Sequence, residues 1–174
     1  MKTKLIPVCT ALFLAVSLRA SAAETPAAKA GSPEFERMKT LVGSWAGKTD
    51  MGKGPVDFTL QFRVLAGGSV VEERCFAGTP DEMVSMYYDQ NGKLAMTHYC
   101  MMGNRPGMKL KSADAKSIKL DFDPACGIDP AKESHMHALS ITFDDADTIT
   151  TSCVAIMDGK EMPVHPTILK RVKP

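Results

Sequence analysis

The residues best able to do chemistry in this 174-residue chain are its four histidines and five cysteines. His98 and Cys100 stand two apart, and so do His135 and His137. In an extended strand that spacing puts both side chains on one face, with Cα atoms roughly 6.6–7 Å apart. A metal ion can bridge such a pair. Neutral imidazole suits Zn or Cu, and nearby thioether or thiolate sulfur favours Cu(I). The same imidazoles could instead meet the polar group of a ligand in an apolar pocket, or hydrogen-bond to loop carbonyls and acids. The sequence leaves these three readings open. His98, His135 and His137 are thus the candidate metal ligands. Together with Cys100, Met83, Met96 and Leu139 they are the candidate contacts for a bound molecule. His165, beside Pro166, reads as a solvated or packing residue.

These side chains need a frame. Ser32-Pro33-Glu34 supplies a capping hydroxyl, a proline for the first helical position and an acid for the first turn. Phe35, Met38, Leu41 and Val42 then share a helical face, and Gly43 ends the helix. After Gly43 the pattern has period two. Phe58, Leu60, Phe62 and Val64 alternate with polar residues, as do Ile118, Leu120 and Phe122, and then Leu139, Ile141 and Phe143. Gly67-Gly68, Asn91-Gly92, Asp144-Asp145 and Asp158-Gly159 are hairpin turns. Strands are expected at 45–50, 56–65, 69–77, 83–89, 93–101, 106–112, 117–123, 135–143, 148–157 and 162–172. No crossover helix fits between them, so the expected fold is all-β: a closed up-and-down antiparallel barrel of about ten strands (8–10) with a short N-terminal helix. With the start of the first strand at the bottom, the tight turns gather there. The longer, proline-marked connections gather at the top, and a ligand mouth is expected at that end.

Lys2 and Lys4, the apolar run Leu5 to Leu18 and the small residues of Ala20-Ser21-Ala22 form a signal-peptide pattern. Residues 1–22 are read as that peptide, 23–31 as a flexible leader and 32–174 as the domain. Cleavage after Ala22 of the 174 leaves 152 residues and, with Lys2, Lys4 and Arg19 gone from a chain of net charge +1, a mature charge near −2. The expected location is extracytoplasmic, periplasmic or secreted. No later segment approaches the ~20 apolar residues of a membrane span. Cys9 lacks the small preceding residues of a lipid-anchor site. No basic cluster interleaves with aromatics, so no nucleic-acid partner is expected. There is no Gly-x-Ser-x-Gly elbow, phosphate loop, dinucleotide fingerprint or His-Glu-x-x-His motif. Glu72 and Glu73, beside Arg74, read as a solvated strand face. The expectation is a binding protein, not an enzyme.

Cys75, Cys100, Cys126 and Cys153 remain after cleavage. Cys100 and Cys126 both fall at the top, and the long 124–134 loop can adjust to disulfide geometry. That bridge is the favoured pairing, with Cys75–Cys100 the competitor. It would close a loop of about 26 residues and stabilise by roughly 3 kcal/mol.

A short helix, Gly43-Ser44-Trp45 on the first strand, an up-and-down barrel and Arg171 on the last strand together resemble the calycin superfamily, the lipocalins and their relatives. The stretch Gly78 to Val84, with Thr97-His98-Tyr99-Cys100, Gly103-Asn104 and His135-Met136-His137, resembles a bacterial calycin-like domain family of unknown function. Haem-binding nitrobindin-type barrels are related to it in fold. The resemblance covers residues 35–172. It implies that Trp45 closes the barrel bottom with Arg171 packed across it. It also implies a pocket for a small, largely hydrophobic ligand at the loop-rich end, or alternatively haem or a transition metal held by His98, His135 and His137.

Overall fold

In the computed structural model, which describes residues 30–50, 52, 54–162 and 165–173, one helix precedes a single antiparallel sheet. The helix α1 spans Pro33–Lys39. The strands are β1 (Gly43–Asp50), β2 (Pro55–Leu65), β3 (Val70–Cys75), β4 (Met83–Gln90), β5 (Lys93–Tyr99), β6 (Gly107–Ala113), β7 (Ser117–Asp123), β8 (His135–Phe143), β9 (Thr148–Met157), β10 (Lys160–Glu161) and β11 (Thr167–Val172). Neighbours in sequence pair from β1 to β9. β11 then pairs with both β9 and β1, and the sheet closes into a barrel of ten strands. The expected signal peptide and most of the leader lie outside the described residues. No helix among the described residues is long and apolar enough to cross a membrane.

The barrel bottom is built from the helix cap outward. Ser32 Oγ accepts from the Phe35 amide, and Ser32 N–H donates to Asp89 Oδ2 at 2.7 Å, which ties α1 to the β4–β5 hairpin. Arg37 donates to the carbonyls of Asp114 and Ser117 on the far side. The helix is thereby laid across the opening with Phe35 and Met38 facing in, followed by Leu41 and Trp45, all buried. Trp45 Nε1 donates to the Leu41 carbonyl at 2.8 Å. Arg171, directly opposite Trp45 in the β1–β11 pairing, places Cζ 4.2 Å from the ring centroid and donates to the carbonyls of Val42 and Thr40. Gly43 sits at φ +123°, a backbone open to glycine, and a Cβ there would meet the Arg171 guanidinium at 3.2 Å.

The last strand differs from expectation. Asp158 and Gly159 both have positive φ and form a tight hairpin, so Lys160–Glu161 pairs with Met157 and Ile156 as the short β10. Chain flanked by prolines follows, and β11 begins only at Thr167. β11 meets β9 from Thr151 downward and β1 from Gly47 downward. Above the Gly47–Leu169 pair Thr167 Oγ1 still donates to Thr49 Oγ1 across the β1–β11 seam, at 2.8 Å. Met162 N–H still donates to the Ala155 carbonyl of β9 at 2.9 Å, and Pro166, which has no amide donor for a ladder, immediately precedes β11.

Candidate functional site

The lower half of the barrel is filled. Phe62, Val71, Tyr87, Met96, Met108 and Ile118 are all buried there. Above them lies a cavity of about 490 Å³. Its walls are inward residues of the strand tops, and its rim comes from the upper connections through Gly52, Phe76, Met101, Met102, Met162 and His165. The hollow end is therefore the loop-rich end, and α1 closes the other.

Two rows of side chains cross the wall formed by β3, β4 and β5. Glu73, Ser85 and His98 are successive partners in the β3–β4 and β4–β5 registers. One step nearer the mouth, Cys75 pairs with Met83, and Cys100 continues the β5 register beyond Tyr99. Alternation turns both rows inward with Val71. Glu73 accepts from the Tyr87 hydroxyl at 2.6 Å, and Ser85 Oγ lies 3.0 Å from His98 Nδ1. His98 is 5% exposed and lines the cavity, and no hydrogen bond engages its Nε2. Burial pushes the Glu73 carboxyl up to about 7 although the Tyr87 hydroxyl donates to it. Burial likewise lowers His98 to about 4 and holds the Tyr87 phenol well above its ordinary value, where the Glu73 charge adds to the rise.

The rest of the lining is soft. Met83, Met101, Met102, Met136, Met157 and Met162 contribute thioethers, and Cys75, Cys100 and Cys153 contribute thiols. Burial is the main cause lifting Cys75 and Cys153 to about 12, so both are thiols at neutral pH. The accessible surface of Cys153 faces the cavity, and protein encloses its other sides. Asp50 and Glu73 are the acids of the lining; no Lys or Arg among the described residues joins them.

The candidate residues of the sequence divide. His98, Cys100, Met83 and Leu139 line the cavity. Met96 does not; it packs lower down between Tyr87 and Met108, its partners on the adjoining strands. His135 and His137 were expected on the inward face of Leu139 and Ile141. A β-bulge between Met136 and Ala138 breaks that phase, so Met136 lines the cavity instead. His135 is fully buried against the Phe122 ring, with centroids 4.4 Å apart, and its Nδ1 lies 2.7 Å from the Glu133 carbonyl. His137 is exposed, with Nδ1 3.2 Å from His135 Nε2. This pair anchors the base of the 124–134 loop, which Asn104 also holds through the Ser134 carbonyl.

The histidines therefore do not converge on one point. Among the described residues no three of His, Cys, Asp and Glu form a group able to hold a metal. Haem fits poorly too: His98 could offer one axial nitrogen, but among the described residues the lining has no Lys or Arg to receive carboxylate groups. The expected Cys100–Cys126 bridge is absent as well. All four described cysteines are free, with Cys126 exposed on the 124–126 turn beside Gly107 and Cys100 facing the cavity. His165 is exposed at the rim.

Glu73, Ser85, Tyr87 and Cys153 are the site residues that sequence reasoning missed. Glu73 shares its phase with Val71 and Cys75, which was a legible signal. The adjoining Glu72-Glu73-Arg74 run masked it as a solvated face.

No family model matches the chain, and no curated protein matches it. Among solved structures it is similar to the crystal structure of Rv2717c from M. tuberculosis, with a TM-score of 0.53 and 16% identity over 83% of this chain and 100% of that one. At that identity the likeness speaks for the fold alone, a closed ten-stranded antiparallel barrel entered by one short helix.

Proposed function

We propose that the protein is an exported, calycin-like binding protein that holds a small, largely hydrophobic molecule in the upper half of its barrel. The observation that carries this reading is the 490 Å³ cavity, walled mainly by apolar and sulfur-bearing side chains at the loop-rich end. Apolar clefts of this size with a few convergent polar groups are the usual form of small-molecule sites. Methionines suit such a lining because an unbranched thioether adapts to the shape it meets. The Glu73–Ser85–His98 row supports binding over catalysis. The acid and the imidazole flank the hydroxyl, whereas a nucleophilic triad needs the imidazole between hydroxyl and acid.

The test is titration with N-phenyl-1-naphthylamine, an uncharged apolar fluorophore. One saturable site is expected. Ala155→Trp places an indole in the cavity and should weaken binding at least about tenfold without lowering the melting temperature. Absence of saturable binding, or unaltered binding by the folded variant, would overturn the proposal.

A further inference from the structure

The donor and acceptor roles around Glu73 decide what kind of molecule the cavity can receive. An ionised carboxylate only accepts hydrogen bonds. Tyr87 must then donate to Glu73, as its 2.6 Å contact allows. Ser85 Oγ and His98 Nδ1 share a hydrogen bond at 3.0 Å, and neutral His98 lines the cavity beside the acid. Once ionised, Glu73 thus presents the cavity with an acceptor that carries a negative charge. Asp50 adds a carboxylate at the rim, with Oδ1 accepting from the Gly52 and Gly54 amides.

We infer that the ligand is an amphiphilic cation, an alkyl or aryl ammonium whose N–H groups are received by Glu73 while its apolar body lies among the methionines. The inference rests on the binding function proposed above and deepens it. Charge supports it twice. The lining carries two acids and, among the described residues, no Lys or Arg, so an anionic head would enter without a partner. Glu73 itself lacks a cation; Arg63 and Arg74 are both engaged by Glu72 on the other face of β3. An entering ammonium supplies the missing charge.

The pairing is linked to protons. Burial favours the neutral acid in the empty cavity, and an ammonium favours the carboxylate, so binding near pH 6 must release a proton from Glu73. The titratable groups that face Glu73 are Cys75 on its own strand, Tyr87 on β4, His98 and Cys100 beside it and Cys153 across the cavity, with Asp50 and His165 at the rim. Cys75, Cys153 and Tyr87 are held protonated and His98 neutral between pH 5 and 8, which leaves Glu73 as the titrating member of its row.

The experiment is calorimetric titration of the full chain with decylammonium chloride, 1-decanol and sodium decanoate, each below its micelle concentration. Decylammonium should bind one site at least about tenfold tighter than decanol at pH 8, with decanoate weakest. Its affinity should fall roughly tenfold per pH unit below 7. Glu73→Gln should bring decylammonium to the decanol level. Independently of any variant, titration at pH 6 in two buffers of different ionisation enthalpy should show release of close to one proton. Equal affinity for the three head groups, or no proton release, overturns the ammonium inference while decanol binding keeps the cavity reading. If none of the three binds, both fall.

Discussion

Glu72 and Glu73 are adjacent in sequence and opposite in environment. Glu72 is buried on the outer face between Arg63 and Arg74, whose hydrogen bonds outweigh its desolvation and hold its carboxyl below the ordinary value. Glu73 faces the cavity without a cation, and burial raises it from 4.5 to about 7. A raised acid stabilises the fold below its unfolded value, and that contribution is lost as pH climbs through the folded value. The loss amounts to up to about 3 kcal/mol, less to the extent that water enters the cavity. Glu73→Gln stays neutral throughout. Its stability relative to wild type should therefore be level near pH 4.5 and higher by about 2 kcal/mol at pH 8, as read from urea unfolding at both pH values. A variant that is less stable at pH 8 than at pH 4.5, relative to wild type, would show the carboxylate to be favourable where it stands. At this scale Trp45 and Arg171 were legible, since each is distinctive in type and position. Glu73 was not, because a glutamate between another glutamate and an arginine carries the composition of a surface, and only the register with Ser85 and His98 gives it a role.

Among the elements, strands were read to within a few residues wherever alternation ran without interruption, as in β2, β7 and β8 below its bulge. Reading failed where the ladder slips. One extra residue at His137 turns Met136 inward and the imidazole outward, and nothing in His-Met-His marks it. The end of the chain failed for a related reason: residues 162–172 read as one strand, but Pro166 offers no amide donor and β11 begins only at Thr167. The β1–β11 seam that closes the barrel depends on Gly47. A Cβ there would lie 2.1 Å from the Ile168 carbonyl oxygen, a backbone atom that cannot swing aside. Gly47→Ala must push the two strands apart at the upper end of their ladder, the Gly47–Leu169 pair. It should cost at least about 2 kcal/mol, measured by thermal or denaturant unfolding. A loss below about 0.5 kcal/mol would mean that the seam is already loose there.

The whole molecule is a barrel packed at one end and hollow at the other, and its thiols report the division. Sequence reasoning placed Cys100 and Cys126 at the top, with Cys75–Cys100 as the competing bridge, and gave Cys153 no pairing. In three dimensions Cys153 shares the inward face of β9 with Thr151, Ala155 and Met157 and lines the cavity. Cys126, favoured as a disulfide partner, stands outside on an exposed turn. Peptide mapping of the non-reduced protein should yield no Cys100–Cys126 pair. Alkylation rates should then rank by environment, because the thiolate is the reactive form. A thiol held at about 12 exposes roughly one part in 10⁴ as thiolate at pH 8, against about a tenth for an unperturbed cysteine. Iodoacetamide should therefore modify Cys75 and Cys153 far more slowly than the exposed Cys126, with peptides resolved by mass spectrometry. A molecule seated in the cavity covers Cys100 and Cys153 and leaves Cys126 in water. Saturating N-phenyl-1-naphthylamine should slow the first two and not the third. Equal protection of all four would point to general stiffening of the barrel, and protection of Cys126 alone would place the bound molecule outside, against the 124–126 turn.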